Sequence, residues 1–354
     1  MKYFKKIYLI IFLIFISATL SFSFEKVKFA VVADPHLSMP AEGVVDAFKM
    51  GLHSVELLDS TIAALNRIPD LDFVLFCGDL TQDAEPWNLD MFVYLISKLK
   101  VPTYCVLGNH DLSPVPKPRK FPGPPPARGV PRATFVWALQ GHGFKGSTPW
   151  WSVDPVPGLH IIGLDTNKPG DWGGTIPDAE LKWLEQDIFA NRDKLTIVIS
   201  HHNFVPWSKD EESSEWKDYN KFVVDNADVV RKIFEKYPNV SFVLTGHRHI
   251  STRYKKVNGV YYIVNPSTCT YPMRYVVYEL TPEYLKYTTY NVPCSKEVWE
   301  TAKKNCIGKP GEWWRLSTHP HTPEGDKAML KFFESPETMT ATLPVRFKAK
   351  VKAY

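Results

Sequence analysis

Two stretches of this sequence decide its fold: residues 27–36 read VKFAVVADPH, and residues 73–81 read FVLFCGDLT. In each stretch a continuous apolar run ends abruptly at a cluster of polar residues. Such runs are typical of strands that are covered on both faces of a sheet. The polar clusters are therefore predicted to lie where strands end, which is where open α/β folds place their functional sites.

Three further polar clusters follow apolar runs in the same way. The five clusters are, in chain order, Asp34-Pro-His36, Gly78-Asp79, Gly108-Asn109-His110-Asp111, His201-His202 and Gly246-His247-Arg248-His249. Their carboxylate, imidazole and amide groups suffice to ligate two metal ions. Asp79 is suited to bridge them, since a carboxylate has two oxygens and two ions roughly 3.5–4 Å apart can clamp a phosphoryl group. In extended backbone, Asp34 and His36 would point the same way, as would His247 and His249.

The clusters resemble the signature of the calcineurin-like metallophosphoesterase family, DxH…GD…GNHD…H…GHxH, over residues 34–249. The resemblance implies an α/β fold, a four-layer α/β/β/α sandwich of the metallo-dependent phosphatase type. The order of predicted elements agrees, because strands alternate with helices early and the later sequence is rich in strands. The predicted strands cover residues 27–33, 73–77, 103–107, 159–164, 196–200, 241–245, 261–264 and 274–280.

The resemblance also implies the metal ligands. One ion would be held by Asp34, His36, Asp79 and His249, and the other by Asp79, Asn109, His201 and His247. His201 is preferred over His202 because the family's ligand is the first residue of this block, although Asn203 stands where close relatives usually carry proline. Two divalent or trivalent transition-metal ions are expected, and Mn, Fe, Zn or Co would suit these donors.

His110 and Asp79 are the predicted catalytic residues. In the family pattern His110 is not a ligand but faces the phosphate, where it stabilises charge or protonates the leaving oxygen. General acid help of this kind typically contributes about 10²–10⁴ in rate. Asp111 either orients His110 or has a structural role. The expected nucleophile is a metal-bound hydroxide, so no covalent intermediate is predicted.

The substrate prediction is a phosphodiester. The block Gly78-Asp79-Leu80-Thr81 resembles the cyclic-nucleotide and glycerophosphodiester phosphodiesterase branch. Gln82 stands where purple acid phosphatases carry a tyrosine ligand, which disfavours that group. The alternatives are a phosphomonoesterase on the same site and a non-catalytic binding or scaffold protein on the same fold. The second is disfavoured because every ligand position is filled.

The amino terminus has the pattern of an export signal over residues 1–23. Lys2, Lys5 and Lys6 precede an apolar run over residues 7–20, and small residues follow it. The protein is thus predicted to be periplasmic or secreted, with an uncleaved anchor as the alternative and no membrane span in the mature chain. Losing the three lysines reduces the formal charge from +4 to +1. A nearly neutral protein is not expected to bind nucleic acid, so the expected partner is a small phosphoester, and the oligomeric state stays open.

Residues 24–293 are assigned to the catalytic domain and residues 294–354 to a carboxy-terminal extension. The extension is predicted to contain a helix over residues 295–305 and a strand over residues 343–354, where apolar and basic side chains alternate. Among five cysteines, Cys294–Cys306 is the first candidate disulfide, although a straight helix would hold them roughly 16–18 Å apart. The proline-rich loop 113–131 is either a specificity element near the metals or a surface insertion.

Overall fold

The computed structural model describes residues 24–40, 44–113, 129–212, 219–314 and 319–347. The predicted export signal and residues 114–128 of the proline-rich loop lie outside these ranges. Within them the strands are β1 Val27–Val32, β2 Phe73–Cys77, β3 Thr103–Val106, β4 Trp151–Val156, β5 Leu159–Gly163, β6 Leu195–Ile199, β7 Val240–Thr245, β8 Arg253–Val257, β9 Val260–Val264, β10 Arg274–Leu280, β11 Tyr284–Asn291 and β12 Thr340–Pro344.

Helices alternate with these strands in the first part of the chain. The α-helices of the described ranges are α1 Ser54–Leu65, α2 Pro86–Ile96, α3 Arg132–Ala138, α4 Asp178–Ala190, α5 Lys209–Glu212, α6 Ala227–Lys236, α7 Lys296–Ile307 and α8 Pro323–Glu334. All eight predicted strands are confirmed to within one residue at each end. The strands that the prediction missed, β4, β8, β11 and β12, carry polar or proline residues and lie partly exposed, so they lack the continuous apolar run that identified the others.

The strands form two six-stranded sheets, with orders β12-β11-β10-β1-β2-β3 and β4-β5-β6-β7-β9-β8. In the first sheet β1, β2 and β3 are parallel, and β10 to β12 are antiparallel additions. In the second, β5, β6, β7 and β9 are parallel, and β4 and β8 are antiparallel at the edges. Both sheets are therefore mixed, with a parallel centre.

The central strands are buried along their whole length. Every residue of β2, β5, β6, β7 and β9 is buried, which requires a layer on each face. The two sheets also contact each other, since the Nε1 of Trp151 on β4 donates to the carbonyl of Cys105 on β3 at 2.8 Å. The predicted four-layer α/β/β/α sandwich is confirmed.

The carboxy-terminal extension continues the first sheet. Its predicted helix is confirmed as α7, whose Ser295 cap accepts from the backbone N–H of Val298 at 3.2 Å. The strand predicted over residues 343–354 is wrong in position, because β12 ends at Pro344 and residues 345–347 are not in a strand. Pro344 lies opposite Tyr284, the first residue of β11, so the partner strand stops there. Residues 348–354 lie outside the described ranges.

All five cysteines are thiols in the structure, so the Cys294–Cys306 disulfide is wrong. The helix α7 runs between the two residues and the chain does not fold back to bring them together. No helix in the described ranges is both long enough and apolar enough to cross a lipid bilayer.

Candidate metal centre

The five polar clusters meet at one edge of the sandwich. Parallel strands place their carboxyl ends at the same edge of a sheet, and the clusters follow β1, β2 and β3 in the first sheet and β6 and β7 in the second. Bonds between the sheets join them there. The Nδ1 of His201 lies 3.0 Å from the carbonyl oxygen of Cys77, and the backbone N–H of His247 donates to Asp34 Oδ1 at 2.8 Å.

The backbone turns sharply at most of the predicted ligands. Five of them have left-handed φ angles: Asp34 at 48°, His36 at 42°, Asp79 at 49°, His247 at 66° and His249 at 49°. Such a conformation costs roughly 1–2 kcal/mol for an L-residue and concentrates at functional sites. The prediction of extended backbone at Asp34, His36, His247 and His249 is therefore wrong. The turns let His247 and His249, two residues apart, face different groups of ligands.

Two glycines allow the loops to approach. A Cβ atom at Gly108 would lie 2.2 Å from both the backbone nitrogen and the Oδ1 atom of Asp79. Gly78 has a φ of 83°, and a Cβ there would lie 2.7 Å from His201 Nδ1. Any larger residue at either position would push the ligands apart.

One group of metal donors consists of Asp34, His36, Asp79 and His249, all buried and with one donor atom each within 4.8 Å of the others. The Nε2 atoms of His36 and His249 lie 3.0 Å apart. Asp79 Oδ2 lies 3.2 Å from His36 Nε2, and Asp34 Oδ1 lies 3.5 Å from His249 Nε2. This is the first of the two predicted ligand sets.

The other oxygen of Asp79 faces a second group. Its Oδ1 lies 3.3 Å from His201 Nε2, which is also 3.0 Å from Asn109 Oδ1. Asn109 Nδ2 is buried without a hydrogen-bond partner, so the amide directs its oxygen to the site. A second donor group contains His201, His202 and His247.

His202 belongs to the second group by distance, but both of its ring nitrogens are engaged. Nδ1 lies 2.8 Å from the hydroxyl of Thr166, and Nε2 lies 2.9 Å from the carbonyl oxygen of Trp172. His201 instead turns Nε2 toward Asp79. The geometry thus favours His201 as the ligand, with His202 packed behind it.

The electrostatics of the cluster suit cations. Burial lowers the pKa of His36, His247 and His249 well below the ordinary value, so these rings are neutral and carry lone pairs. Burial also raises the pKa of Asp34 to about 8. Burial alone would raise the pKa of Asp79, but His201, His110 and His36 hold it well below its usual range. Burial alone would lower the pKa of His201, but Asp79 and Asp34 raise it to about 9, so metal ions bound at His201 and Asp34 would displace protons. Once deprotonated, imidazoles, carboxylates and an amide oxygen are donors that transition metals accept, so the residues fit two such ions.

His110 lies beside both groups and is held at one ring nitrogen. Its Nδ1 hydrogen-bonds to the carbonyl of Gln82 and lies 3.3 Å from Asp83 Oδ1. The ring lies 4.7 Å from that of His36 and 5.1 Å from that of Trp172, centroid to centroid. Nδ1 is engaged by the loop that carries Gln82 and Asp83, whereas Nε2 faces Lys49 Nζ at 3.2 Å.

Of the two roles predicted for Asp111, orientation of His110 or support of the structure, its contacts indicate the structural one. Its carboxylate accepts from the backbone N–H groups of Gly108, Leu80 and Thr81 at 2.8–2.9 Å. It therefore ties the loop after β2 to the loop after β3, while Gln82 and Asp83 orient His110.

Sequence reasoning missed Lys49. Its Nζ atom lies 3.0 Å from His36 Nδ1 and 3.2 Å from His110 Nε2. No cluster or periodic pattern marks this residue, because it reaches the site from a segment between β1 and α1. A cation at this position would attract an anionic ligand to the donor groups.

The calcineurin-like phosphoesterase family matches residues 27–251, which include both donor groups. The chain belongs to this family. It is 24% identical over 222 residues to a 3',5'-cyclic-nucleotide phosphodiesterase from Nostoc sp., covering 62% of this chain and 72% of that protein. It is 26% identical over 172 residues to a protein named as a probable glycerophosphodiester phosphodiesterase from Arcobacter nitrofigilis, covering 48% and 55%.

The fold agrees with a solved relative. The crystal structure of a dimetal phosphatase from Danio rerio superposes with a TM-score of 0.58 at 14% identity, over 75% of this chain and 96% of that one. At this identity the likeness concerns the fold alone. Family membership makes the chain a phosphoester hydrolase, and its two donor groups are candidates for the dinuclear metal centre that the family uses.

We expect Asp79→Asn to reduce metal content and to lower phosphoesterase activity by several orders of magnitude. A carboxylate presents a negatively charged oxygen to each donor group, whereas an amide has one neutral oxygen. The measurement is metal per chain by elemental analysis, together with turnover of a nitrophenyl ester. Asp59→Asn, which alters a surface ion pair with Lys98, is the control and should match the parent. Full activity in Asp79→Asn, or after chelation, would contradict the dinuclear mechanism.

Proposed function

We propose that this protein hydrolyses phosphodiesters of small molecules at the Asp79 site. The observation that carries the proposal is that the two Asp79 oxygens face separate donor groups while His110 stands beside both. Asp34, His36, Asp79 and His249 would hold one ion, and Asp79, Asn109, His201 and His247 the other. Bound ions of this kind stabilise phosphoryl oxygens and activate water.

His110 is the residue that would donate a proton in the reaction, and its loop is held in place beside Asp79. The backbone N–H of His110 donates to Asp79 Oδ1 at 2.9 Å, which fixes the loop against the bridging carboxylate. His110 Nδ1–H donates to the carbonyl of Gln82, so the ring would donate a proton from Nε2 to the departing ester oxygen only as the imidazolium, and it would return to the neutral Nδ1–H form. The ligand side chains are buried, and electrostatic contacts are stronger where the local dielectric constant is low.

Relatives and motif support a diester substrate. The matched proteins are named as cyclic-nucleotide and glycerophosphodiester phosphodiesterases, and the Gly78–Thr81 block has the form of that branch. Gln82, at the position of the purple acid phosphatase tyrosine, donates its Nε2 to Asp83 Oδ1 at 3.2 Å. Its Nε2 is therefore engaged within its own loop.

A phosphomonoester is the second candidate substrate. The observation that favours it is the ammonium group of Lys49, which stands beside His110. A monoester dianion carries one more negative charge than a diester and gains more from a nearby cation. The proline-rich loop over residues 113–131 lies largely outside the described ranges.

His110→Ala should lower turnover about 10²–10⁴-fold while metal content stays near the parent value, because the ring donates a proton and is not a ligand. The loss should be smaller for a nitrophenolate leaving group than for an alkoxide, which needs the proton more. Equal losses for the two leaving groups would argue against the acid role. Loss of metal in proportion to activity would make His110 a ligand.

Bis-nitrophenyl phosphate should be hydrolysed at least as fast as nitrophenyl phosphate by the metal-loaded protein, because a diesterase site admits a second ester arm. The measurement is kcat/KM for both esters with Mn, Fe, Zn and Co supplied in turn. A strong preference for the monoester would make the protein a phosphatase. Two bound metals without turnover of either ester would favour the binding-protein alternative.

We propose further that the protein is exported. The support is the pattern of residues 1–23, in which three lysines precede an apolar run and small residues. Expression of the full chain in a bacterium, followed by fractionation and amino-terminal sequencing, should find the chain outside the cytosol and beginning near Phe24. An intact Met1 in the membrane fraction would instead indicate an uncleaved anchor, and an intact chain in the cytosol would refute export.

A further inference from the structure

Lys49 enters the candidate active site from a segment that carries no ligand of its own. Its Nζ atom lies between two imidazoles, 3.0 Å from His36 Nδ1 and 3.2 Å from His110 Nε2. His36 turns its opposite nitrogen, Nε2, to the first donor group. Lys49 therefore stands on the side of the site where His110 meets the substrate.

The segment that carries Lys49 is fixed by parts of the fold that lie far along the chain. Lys49 forms an antiparallel bridge with Thr270. The backbone N–H of Met50 donates to the carbonyl oxygen of Cys269 at 2.8 Å. The side-chain amide of Asn305 on α7 donates to the carbonyl of Ala47 at 2.9 Å. All of these partners lie beyond residue 251, where the family match ends.

The distances place one substrate atom within reach of both side chains. A phosphate oxygen or ester oxygen that hydrogen-bonds to His110 Nε2 would lie close to an ammonium group that is itself 3.2 Å from that nitrogen. An ammonium offers three donors and a full charge, and charge-assisted bonds to phosphate are about twice as strong as neutral ones. Phe48, the residue before Lys49, is buried and packs 6.0 Å from the His249 ring, centroid to centroid, which limits how far the segment can move.

We propose that Lys49 binds the substrate phosphate on the side of His110 and raises the affinity of the site for dianionic phosphoryl groups more than for monoanionic ones. This inference rests on the proposed function, since it assigns a role at the same site. A dianionic monoester, or free phosphate, would gain more from Lys49 than a monoanionic diester. Lys49 would thus be the residue that sets the ratio of monoester to diester hydrolysis.

The test is the binding of inorganic phosphate to the metal-loaded protein by titration calorimetry, because it needs no turnover. Lys49→Met keeps most of the apolar stem and removes the charge, and Lys49→Arg keeps the charge. Lys98→Met removes a surface lysine that pairs with Asp59 and is the matched control. Metal content is measured on every variant by elemental analysis.

We expect Lys49→Met to weaken phosphate binding at least about tenfold, with metal content at the parent value. Lys49→Arg should lose less, and Lys98→Met should bind as the parent does. In turnover, Lys49→Met should raise KM for nitrophenyl phosphate more than for bis-nitrophenyl phosphate. A parent that binds phosphate through Lys49 but hydrolyses neither ester would refute the proposed function and leave this inference standing.

Three results would overturn the inference. Unchanged phosphate affinity in Lys49→Met would show that the ammonium does not contact the anion. Equal losses in Lys49→Met and Lys49→Arg would show that shape and not charge matters. A loss of metal that parallels the loss of phosphate binding would show that Lys49 positions His36 for metal binding and does not contact the phosphate.

Discussion

The site depends on one buried carboxylate, that of Asp79, which turns one oxygen to each of two donor groups. Oδ2 meets His36 at 3.2 Å and Oδ1 meets His201 at 3.3 Å. The two histidines come from loops of different sheets, so the position of Asp79 requires the sheets to be aligned at their carboxyl edges. A close approach of the loops after β2 and β3 is also needed, and the lack of a side chain at Gly108 permits it.

A second buried carboxylate, that of Asp111, stabilises the loops around Asp79 but is not in either donor group. Asp111 accepts three backbone N–H bonds and the hydroxyl of Thr81, which stabilise the turns on either side of Asp79. Burial and the charge of Asp79 raise the pKa of Asp111 to about 6, although these N–H bonds oppose the rise. The left-handed conformations at five ligands cost free energy, and such bonds offset part of that cost. Asp79 is thus a candidate metal ligand, and Asp111 stabilises the backbone around it.

The carboxy-terminal extension is part of the same structure and not an appended unit. Its strand β12 extends the first sheet, and Arg274 donates to the carbonyl of Phe333 at the end of α8 at 3.1 Å. Asn305 on α7 fixes the backbone two residues before Lys49. Residues outside the family match therefore shape the surroundings of the family's metal site, which is a way to change substrate preference without changing a ligand.

The sequence by itself determined the central strands and the polar clusters that supply the two donor groups, because continuous apolar runs that end in polar clusters identify both. It did not determine the left-handed backbone at the ligands, the position of β12, or the approach of Lys49 to His110. Three of these features have partners distant in sequence: Asp111 for the turn at Asp79, β11 for the last strand, and Thr270 and Asn305 for the Lys49 segment. Local patterns report which face of an element is apolar, whereas only the folded chain decides which distant groups come within hydrogen-bonding distance.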